Sequence, residues 1–170
     1  ADPAWASTSR EQTFAITWGD ADGDGDQDLT CGNLNRNSSI HLNEDGVLSA
    51  EPVWIAASGR ATYAVAWGDV DADGDLDLAL GNSGNQANVL HENDGLVLVN
   101  EPVWEMETTF EGSIGGWEDG QSSAAWGDVD GDGDLDLALT EDRTWENDVQ
   151  GVRGIATLYR NEDGALSTSY

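Results

Sequence analysis

Short apolar segments alternate with dense clusters of aspartate along this chain of 170 residues. Three of the segments end in tryptophan just before a cluster, and three others follow with leucine after the last aspartate. Their length and their apolar, partly alternating character predict β-strands. Each cluster is therefore predicted to lie in the turn of a β-hairpin. The upstream segments are 14–18, 63–67 and 123–126, and the downstream segments are 28–31, 77–80 and 136–139.

The three clusters, residues 20–28, 69–77 and 128–136, are near-copies of one acidic loop. Each has aspartate at loop positions 1, 3, 5, 7 and 9 and glycine at position 6, a pattern that folds around a hard cation. Crowded carboxylates repel one another unless a cation lies between them, and a flexible shell of oxygen ligands suits Ca²⁺ better than Mg²⁺ or Zn²⁺. We predict three Ca²⁺ ions per chain.

The predicted calcium ligands are the side chains at positions 1, 3, 5 and 9. They are Asp20, Asp22, Asp24 and Asp28 in the first loop, Asp69, Asp71, Asp73 and Asp77 in the second, and Asp128, Asp130, Asp132 and Asp136 in the third. At position 7, Asp26, Asp75 and Asp134 are predicted to offer backbone carbonyls and to leave their side chains in solvent. An EF-hand is excluded because loop position 12 holds Cys31, Leu80 or Leu139 in place of glutamate.

The loops belong to a longer repeat. Loops start at residues 20, 69 and 128, and a Pro-X-Trp segment ending at Trp5, Trp54 or Trp104 keeps nearly the same phase. A turn of the Asn-Asp-Gly type lies between each loop and the next Pro-X-Trp position. One module therefore holds about four short strands, which predicts a blade of a β-propeller.

The pattern Trp-Gly-Asp-Val-Asp-X-Asp-Gly-Asp-Leu-Asp-Leu-Ala-Leu, followed by the Asn-Asp-Gly turn, resembles the FG-GAP and VCBS repeats of integrin α-chain propellers and bacterial surface proteins. The resemblance implies an all-β propeller with Ca²⁺ in its inter-strand hairpins. It also implies an extracellular or cell-surface location and a role in adhesion or ligand recognition without catalysis. Complete propellers of this kind have about seven blades, and three blades do not close a ring.

We expect one domain over residues 1–170, with blades at 10–58, 59–109 and 110–170 and a strand at 1–9 that completes a blade. The fourth strand expected after the last Asn-Glu-Asp-Gly turn is missing, and Ala1-Asp2-Pro3-Ala4-Trp5 matches it in sequence. Two explanations stay open. Either two chains exchange this strand and form a homodimer with six blades, or the chain is a fragment of a longer propeller.

Composition excludes one class of partner. The chain has 34 acidic and six basic residues and a formal net charge of −28, so a nucleic acid would be repelled. No stretch is apolar over the length needed to span a membrane. The single cysteine, Cys31, cannot form an intrachain disulfide and occupies the register of Leu80 and Leu139, which predicts a small buried residue.

Other residues allow a functional and a structural interpretation. His41 and His91 share the register of Tyr159, which favours buried strand positions over catalysis, and the periodic tryptophans favour blade packing. Two insertions in the third module carry Phe110, Trp117 and Trp145. Exposed aromatic residues on loops bind sugars or proteins, or they fold back onto their own blade.

Three classes of function differ in how well they agree with these features. The favoured function is an extracellular interaction or adhesion module in which calcium is structural. The alternative is a lectin-like propeller that binds carbohydrate. An enzyme is not expected because no nucleophile, base and acid stand at a meaningful spacing, and the loop register already explains the carboxylates as metal ligands.

Overall fold

A computed structural model describes residues 4–8, 11–34, 36–57, 59–82, 86–95, 98–105, 123–143 and 153–167, with the backbone alone at 141–143 and 153–155. Within these ranges the chain forms strands and turns and no helix. The strands are β1 (Thr13–Gly19), β2 (Asp28–Asn33), β3 (Ser39–His41), β4 (Asn43–Glu44), β5 (Val47–Leu48), β6 (Trp54–Ile55), β7 (Thr62–Gly68), β8 (Asp77–Asn82), β9 (Val89–His91), β10 (Trp104–Glu105), β11 (Ala124–Gly127), β12 (Asp136–Arg143), β13 (Arg153–Glu162) and β14 (Ala165–Ser167).

The strands form three four-stranded antiparallel sheets and one small hairpin. The first sheet has the order β1-β2-β3-β6, the second β7-β8-β9-β10 and the third β11-β12-β13-β14, while β4 pairs with β5. Neighbours in each sheet are also neighbours in sequence apart from the β4-β5 excursion, as short hairpin connections require. The all-β prediction is confirmed.

Each acidic loop connects the first two strands of a sheet, as the sequence predicted. The pairs that close the loops are Gly19 with Asp28, Gly68 with Asp77, and Gly127 with Asp136. The glycine at loop position 6 has a positive φ in every loop, 95° at Gly25, 103° at Gly74 and 106° at Gly133. A residue with a Cβ rarely adopts this conformation, which explains the glycine.

The hydrophobic core lies between adjacent sheets. One cluster joins the first two sheets through residues that include Ile40, Trp54 and Leu78, and another joins the second and third through residues that include Leu90 and Leu137. The second strand of the middle sheet, β8, is buried along its whole length. Each sheet is thus stabilised mainly by the sheet beside it, as in face-to-face sheet packing.

The third sheet differs from the first in its fourth strand. Its fourth strand is β14, which pairs with residues 160–162 of β13. In the first sheet the fourth strand, β6, pairs with Ser39 and Ile40, which correspond to residues 157–158 of β13. In the described part of the chain, no strand occupies that place beside residues 157–158. The blade boundaries at 10–58, 59–109 and 110–170 remain predictions, although the sheets lie within them.

The N-terminal segment contacts its own chain. The amide of Thr8 donates to the carbonyl of Ala50 at 3.3 Å, and its hydroxyl donates to Glu51 at 2.6 Å. The Trp5 ring lies edge-on against His41, with centroids 5.1 Å apart. Residues 4–8 therefore pack beside the first sheet. No helix among the described residues has the length and apolar character needed to cross a membrane.

Candidate metal centres

The structure brings three aspartates of each loop together, namely those at positions 1, 3 and 9. One carboxylate oxygen from each member lies within 4.8 Å of the others. Carboxylate oxygens at such spacing can share one hard cation of the calcium type. The three triads are Asp20, Asp22 and Asp28; Asp69, Asp71 and Asp77; and Asp128, Asp130 and Asp136.

The aspartate at position 9 is the buried anchor of each loop. Asp77 accepts the amide of Val70 on Oδ2 at 2.8 Å and the amide of Asn93 on Oδ1 at 2.9 Å. The first bond closes the acidic loop, and the second ties it to the turn after the third strand. Asp28 and Asp136 make the same two bonds, from Ala21 and Asn43 and from Val129 and Asn161. Because each carboxylate oxygen has two lone pairs, these bonds leave capacity for a metal ion.

The aspartate at position 1 provides the clearest sign that the loop fits a cation. Oδ2 of Asp20 and Asp69 accepts the amide of the position-6 glycine, at 3.0 and 3.2 Å. Oδ1 of both residues is buried and has no hydrogen-bond partner among the described residues. An unpaired buried carboxylate oxygen is costly, and a cation coordinated by the triad would satisfy it. The donor set and these two oxygens fit Ca²⁺.

The position-5 aspartates, Asp24, Asp73 and Asp132, lie outside the triads and in solvent. Each instead accepts the amide of the position-7 residue on Oδ1, at 2.8 to 2.9 Å. This bond is an Asx-type turn within the loop. Metal ligation by these side chains stays a prediction.

The position-7 side chains, predicted to lie in solvent, are half-buried, and in two loops they accept a hydrogen bond. Asp26 Oδ2 accepts the amide of Asp45 at 2.8 Å, and Asp134 Oδ2 accepts the amide of Asp163 at 2.9 Å. Both bonds reach the tight turn that follows the third strand. Asp75 lies against the corresponding turn, where a Cβ at Gly95 would collide with its carboxylate. The residue therefore links two turns, and its predicted backbone contribution to the metal stays untested.

The carboxyl groups at position 9 differ in acidity although they make the same bonds. Burial raises the pKa of Asp77 to about 6, against the opposing effect of its two amide donors. Burial also raises the pKa of Asp28. The pKa of Asp136 is lowered, because the amides of Asn161 and Val129 outweigh burial there. The third loop therefore holds its buried negative charge at a smaller cost than the other two.

A different residue stands beside the position-3 aspartate in each loop. In the second loop, Glu92 is hydrogen-bonded to Asp71, and its pKa is raised by burial and by that bond. In the third loop, a guanidinium nitrogen of Arg160 lies 3.1 Å from Asp130. The corresponding residue of the first sheet is Leu42. The second loop thus gains a carboxylate that the others lack, and the third gains a positive charge that competes with a cation.

The asparagine that opens each turn was missed as a functional residue. Besides its amide bond to the position-9 aspartate, Asn93 donates from Nδ2 to the carbonyl of Ala21 in the neighbouring loop, at 2.9 Å. Asn161 makes the equivalent bond to Val70 at 2.6 Å. The recurring Asn before Asp-Gly marked these positions in the sequence, but only as turn residues.

The structural interpretations of the histidines and of the cysteine are confirmed. His41 and His91 are buried strand residues whose Nδ1 atoms donate to the carbonyls of Ser49 and Val99, both at 2.9 Å. Burial lowers the pKa of His91. Cys31 is buried, and burial raises the pKa of its thiol. The speculative ligand residues Phe110, Trp117 and Trp145 lie outside the described residues.

Comparison with known families identifies one match. Residues 20–80, which span the first two acidic loops and the strands of the first sheet after β1, match the family model of the FG-GAP-like repeat. The match confirms the resemblance that the repeated motif indicated. No curated protein matched the chain.

Proposed function

We propose, from the FG-GAP-like repeat carried by residues 20–80, that this chain is a calcium-binding β-propeller module that acts outside the cell in adhesion or another interaction. FG-GAP repeats are typical of extracellular proteins. The observation that carries the proposal is the triad of aspartates in each loop, with an unpartnered buried oxygen on Asp20 and on Asp69. The proposed role is binding without catalysis.

The proposed calcium is structural. Asp28, Asp77 and Asp136 each join an acidic loop to the following turn, so an ion on these carboxylates would hold two turns of one sheet together. Ca²⁺ would also neutralise charges that repel one another in a chain with a formal net charge of −28. Binding energy of this kind adds to folding energy, because the unfolded chain has no such site.

Thermal unfolding with and without Ca²⁺ tests this proposal. At Ca²⁺ concentrations about ten to one hundred times the Kd, each site should add about 1.4 to 2.7 kcal/mol to the free energy of unfolding. EGTA should therefore lower the Tm, and excess Ca²⁺ should restore it. Mg²⁺ at matched ionic strength is the control and should restore much less. An unchanged Tm in EGTA would contradict the proposal.

The ligand class needs a separate experiment. The lectin alternative rests on Trp117 and Trp145, which lie outside the described residues, so the interaction module remains our proposal. A glycan array probed in Ca²⁺ and in EGTA distinguishes the two. Calcium-dependent binding that a defined free sugar abolishes would replace the interaction module with the lectin.

A further inference from the structure

The two contacts between adjacent sheets are built in the same way. In both, a tryptophan near the end of one sheet's first strand covers a glycine in the sheet before it, at the end of that sheet's first strand. Trp67 of the second sheet covers Gly19 of the first, and Trp126 of the third sheet covers Gly68 of the second. A Cβ at either glycine would collide with the indole. The glycines are therefore required by this close approach. We call this packing of one sheet on the next a sheet junction.

A hydrogen bond accompanies the tryptophan in each junction. The asparagine of the later sheet donates to the position-2 carbonyl of the earlier loop, from Asn93 to Ala21 and from Asn161 to Val70. These contacts cover position 2, so Ala21 and Val70 are only 8% and 4% exposed. A complete sheet junction thus covers one face of an acidic loop.

The outer strand adds a third repeated contact. Trp54 in β6 lies edge-on against His91 of the following sheet, and Trp104 in β10 lies in the same way against Tyr159, both at 5.2 Å. Trp5 takes this position against His41 at 5.1 Å. Residues 4–8 therefore lie beside the first sheet where the outer strand of a preceding sheet would lie.

The chain also carries both halves of one more junction, unpaired. On the first sheet, Ile16 and Trp18 share one face of β1 and are 63% and 53% exposed. On the third sheet, a Cβ at Gly127 would meet no described atom within 4 Å. Val129, at loop position 2, is 58% exposed, in contrast to Ala21 and Val70. Leu158 is also exposed, whereas its counterparts Ile40 and Leu90 are buried.

We propose that these two faces are halves of one sheet junction and that a second copy of this chain supplies the missing half. Trp18 of one copy would cover Gly127 of the other, and Asn43 would donate to the carbonyl of Val129. Trp5 would face Leu158, as Trp54 pairs with Ile40 inside the chain. Residues 4–8 would then pair with residues 157–158 of β13, beside which no described strand lies, and this would protect an exposed strand edge.

A second copy fits for two reasons. The exposed faces of the first and third sheets carry the same pairs of residues that form the two junctions inside the chain, so no new kind of contact is needed. Because the contact is head-to-tail, two chains form two identical junctions and a closed ring of six sheets, which lies within the range of about four to eight blades of propellers. The second copy would also cover the third acidic loop, whose position 2 stays open in a single chain.

Light scattering and sedimentation of the full chain in millimolar Ca²⁺ and about 0.15 M salt, which screens the charge of the two chains, test this proposal. The wild type should have twice the mass of one chain at micromolar concentration. Gly127→Val should give folded monomers, because the added side chain has room in one chain and none under Trp18 of a second copy. Ile16→Glu should also give monomers. Ile55→Glu is the matched control, since Ile55 is 49% exposed on β6 and corresponds to Glu105 of the second sheet.

A mixing experiment tests the head-to-tail arrangement. Ile16→Glu keeps an intact third-sheet face, and Gly127→Val keeps an intact first-sheet face, so the two variants together can form one junction. Equimolar mixing should yield a heterodimer that neither variant forms alone. Leu158→Glu replaces Gly127→Val if the latter does not fold, as judged by circular dichroism. A monomeric wild type, a dimer that survives both substitutions, or oligomers larger than two chains would overturn the proposal.

Discussion

The second and third acidic loops have almost the same sequence and different surroundings. Residues 69–77 and 128–136 differ only at position 4, which is Ala72 in one and Gly131 in the other. Both loops gather the same triad of aspartates. Yet burial raises the pKa of Asp77 to about 6, whereas backbone hydrogen bonds lower the pKa of Asp136.

The neighbouring sheet contributes to this difference in pKa, and the positive charge of Arg160 near Asp136 adds to it. The third sheet packs on the second loop, where Asn161 bonds to Val70 and Gly164 lies against Asp71. No described residue packs on the third loop in this way, and Val129 is exposed. Removing water around a carboxylate without adding a cation disfavours its charged form. A repeated motif therefore encodes the loop conformation, while the next repeat sets its electrostatics.

Removal of the position-9 carboxylate should give the largest difference in stability between the second and third loops. Asp77→Ala leaves two buried amides without an acceptor and removes a calcium ligand, which should lower the free energy of unfolding by about 3 to 5 kcal/mol. Asp136→Ala should cost less, because Asp136 anchors the loop on which no described sheet packs. Asp28→Ala should behave like Asp77→Ala.

Chemical denaturation in Ca²⁺ measures these costs. All three variants should be compared in the Gly127→Val background, which is expected to be monomeric. In a monomer, no second copy covers the third loop. Equal costs for Asp77→Ala and Asp136→Ala would show that the neighbouring sheet does not determine how strongly each loop depends on its anchor.

The sequence predicts the loops well because their determinants are local. Aspartates at alternate positions, a glycine with positive φ and flanking apolar segments all lie within about fifteen residues, so hairpin and triad follow from spacing. The bond from Asn93 to the carbonyl of Ala21 and that from Asn161 to the carbonyl of Val70 join residues of different repeats. Spacing within one repeat cannot reveal them. The exposure of Trp18 has the same origin, since Trp18 and Trp67 both precede Gly-Asp but no described sheet packs on Trp18 as the first sheet packs on Trp67.

In the metal-free protein, the stability contributed by Asp77 and that contributed by Asp136 should depend on pH in opposite ways. The pKa of Asp77 is raised above its ordinary value of 3.8, so the stability it contributes is fully present below about pH 4 and is lost as pH rises through about 6. This loss is on the order of 3 kcal/mol. Asp136 has the opposite sign, because its lowered pKa adds stability above about pH 4 that is lost as pH falls through the lowered value.

Carbon-detected NMR of side-chain carboxyls in EGTA measures both groups directly. Asp77 should titrate near pH 6 and Asp136 below the ordinary aspartate range. Added Ca²⁺ should shift the Asp77 titration to lower pH, because the ion binds only the ionised form. Asp77 and Asp136 titrating together would contradict the effect assigned to the neighbouring sheet.

The smallest expected effect concerns the residues beside position 3. Glu92→Leu should weaken Ca²⁺ binding at the second loop, because it removes a negative charge, and Arg160→Leu should strengthen binding at the third, because it removes a positive charge. Leucine is chosen because Leu42 occupies the corresponding position in the first sheet. At about 0.15 M salt, which screens the interaction, one unit charge about 5 Å from a divalent ion in a water-like surrounding changes affinity by about threefold to tenfold. Site-resolved titration is needed, and the amide resonances of Gly74 and Gly133 report the two loops separately. Arg36→Leu removes the same charge at the far end of β2 and should leave both affinities unchanged. If Arg160→Leu and Arg36→Leu had equal effects, net charge rather than the contact with Asp130 would govern calcium binding at the third loop.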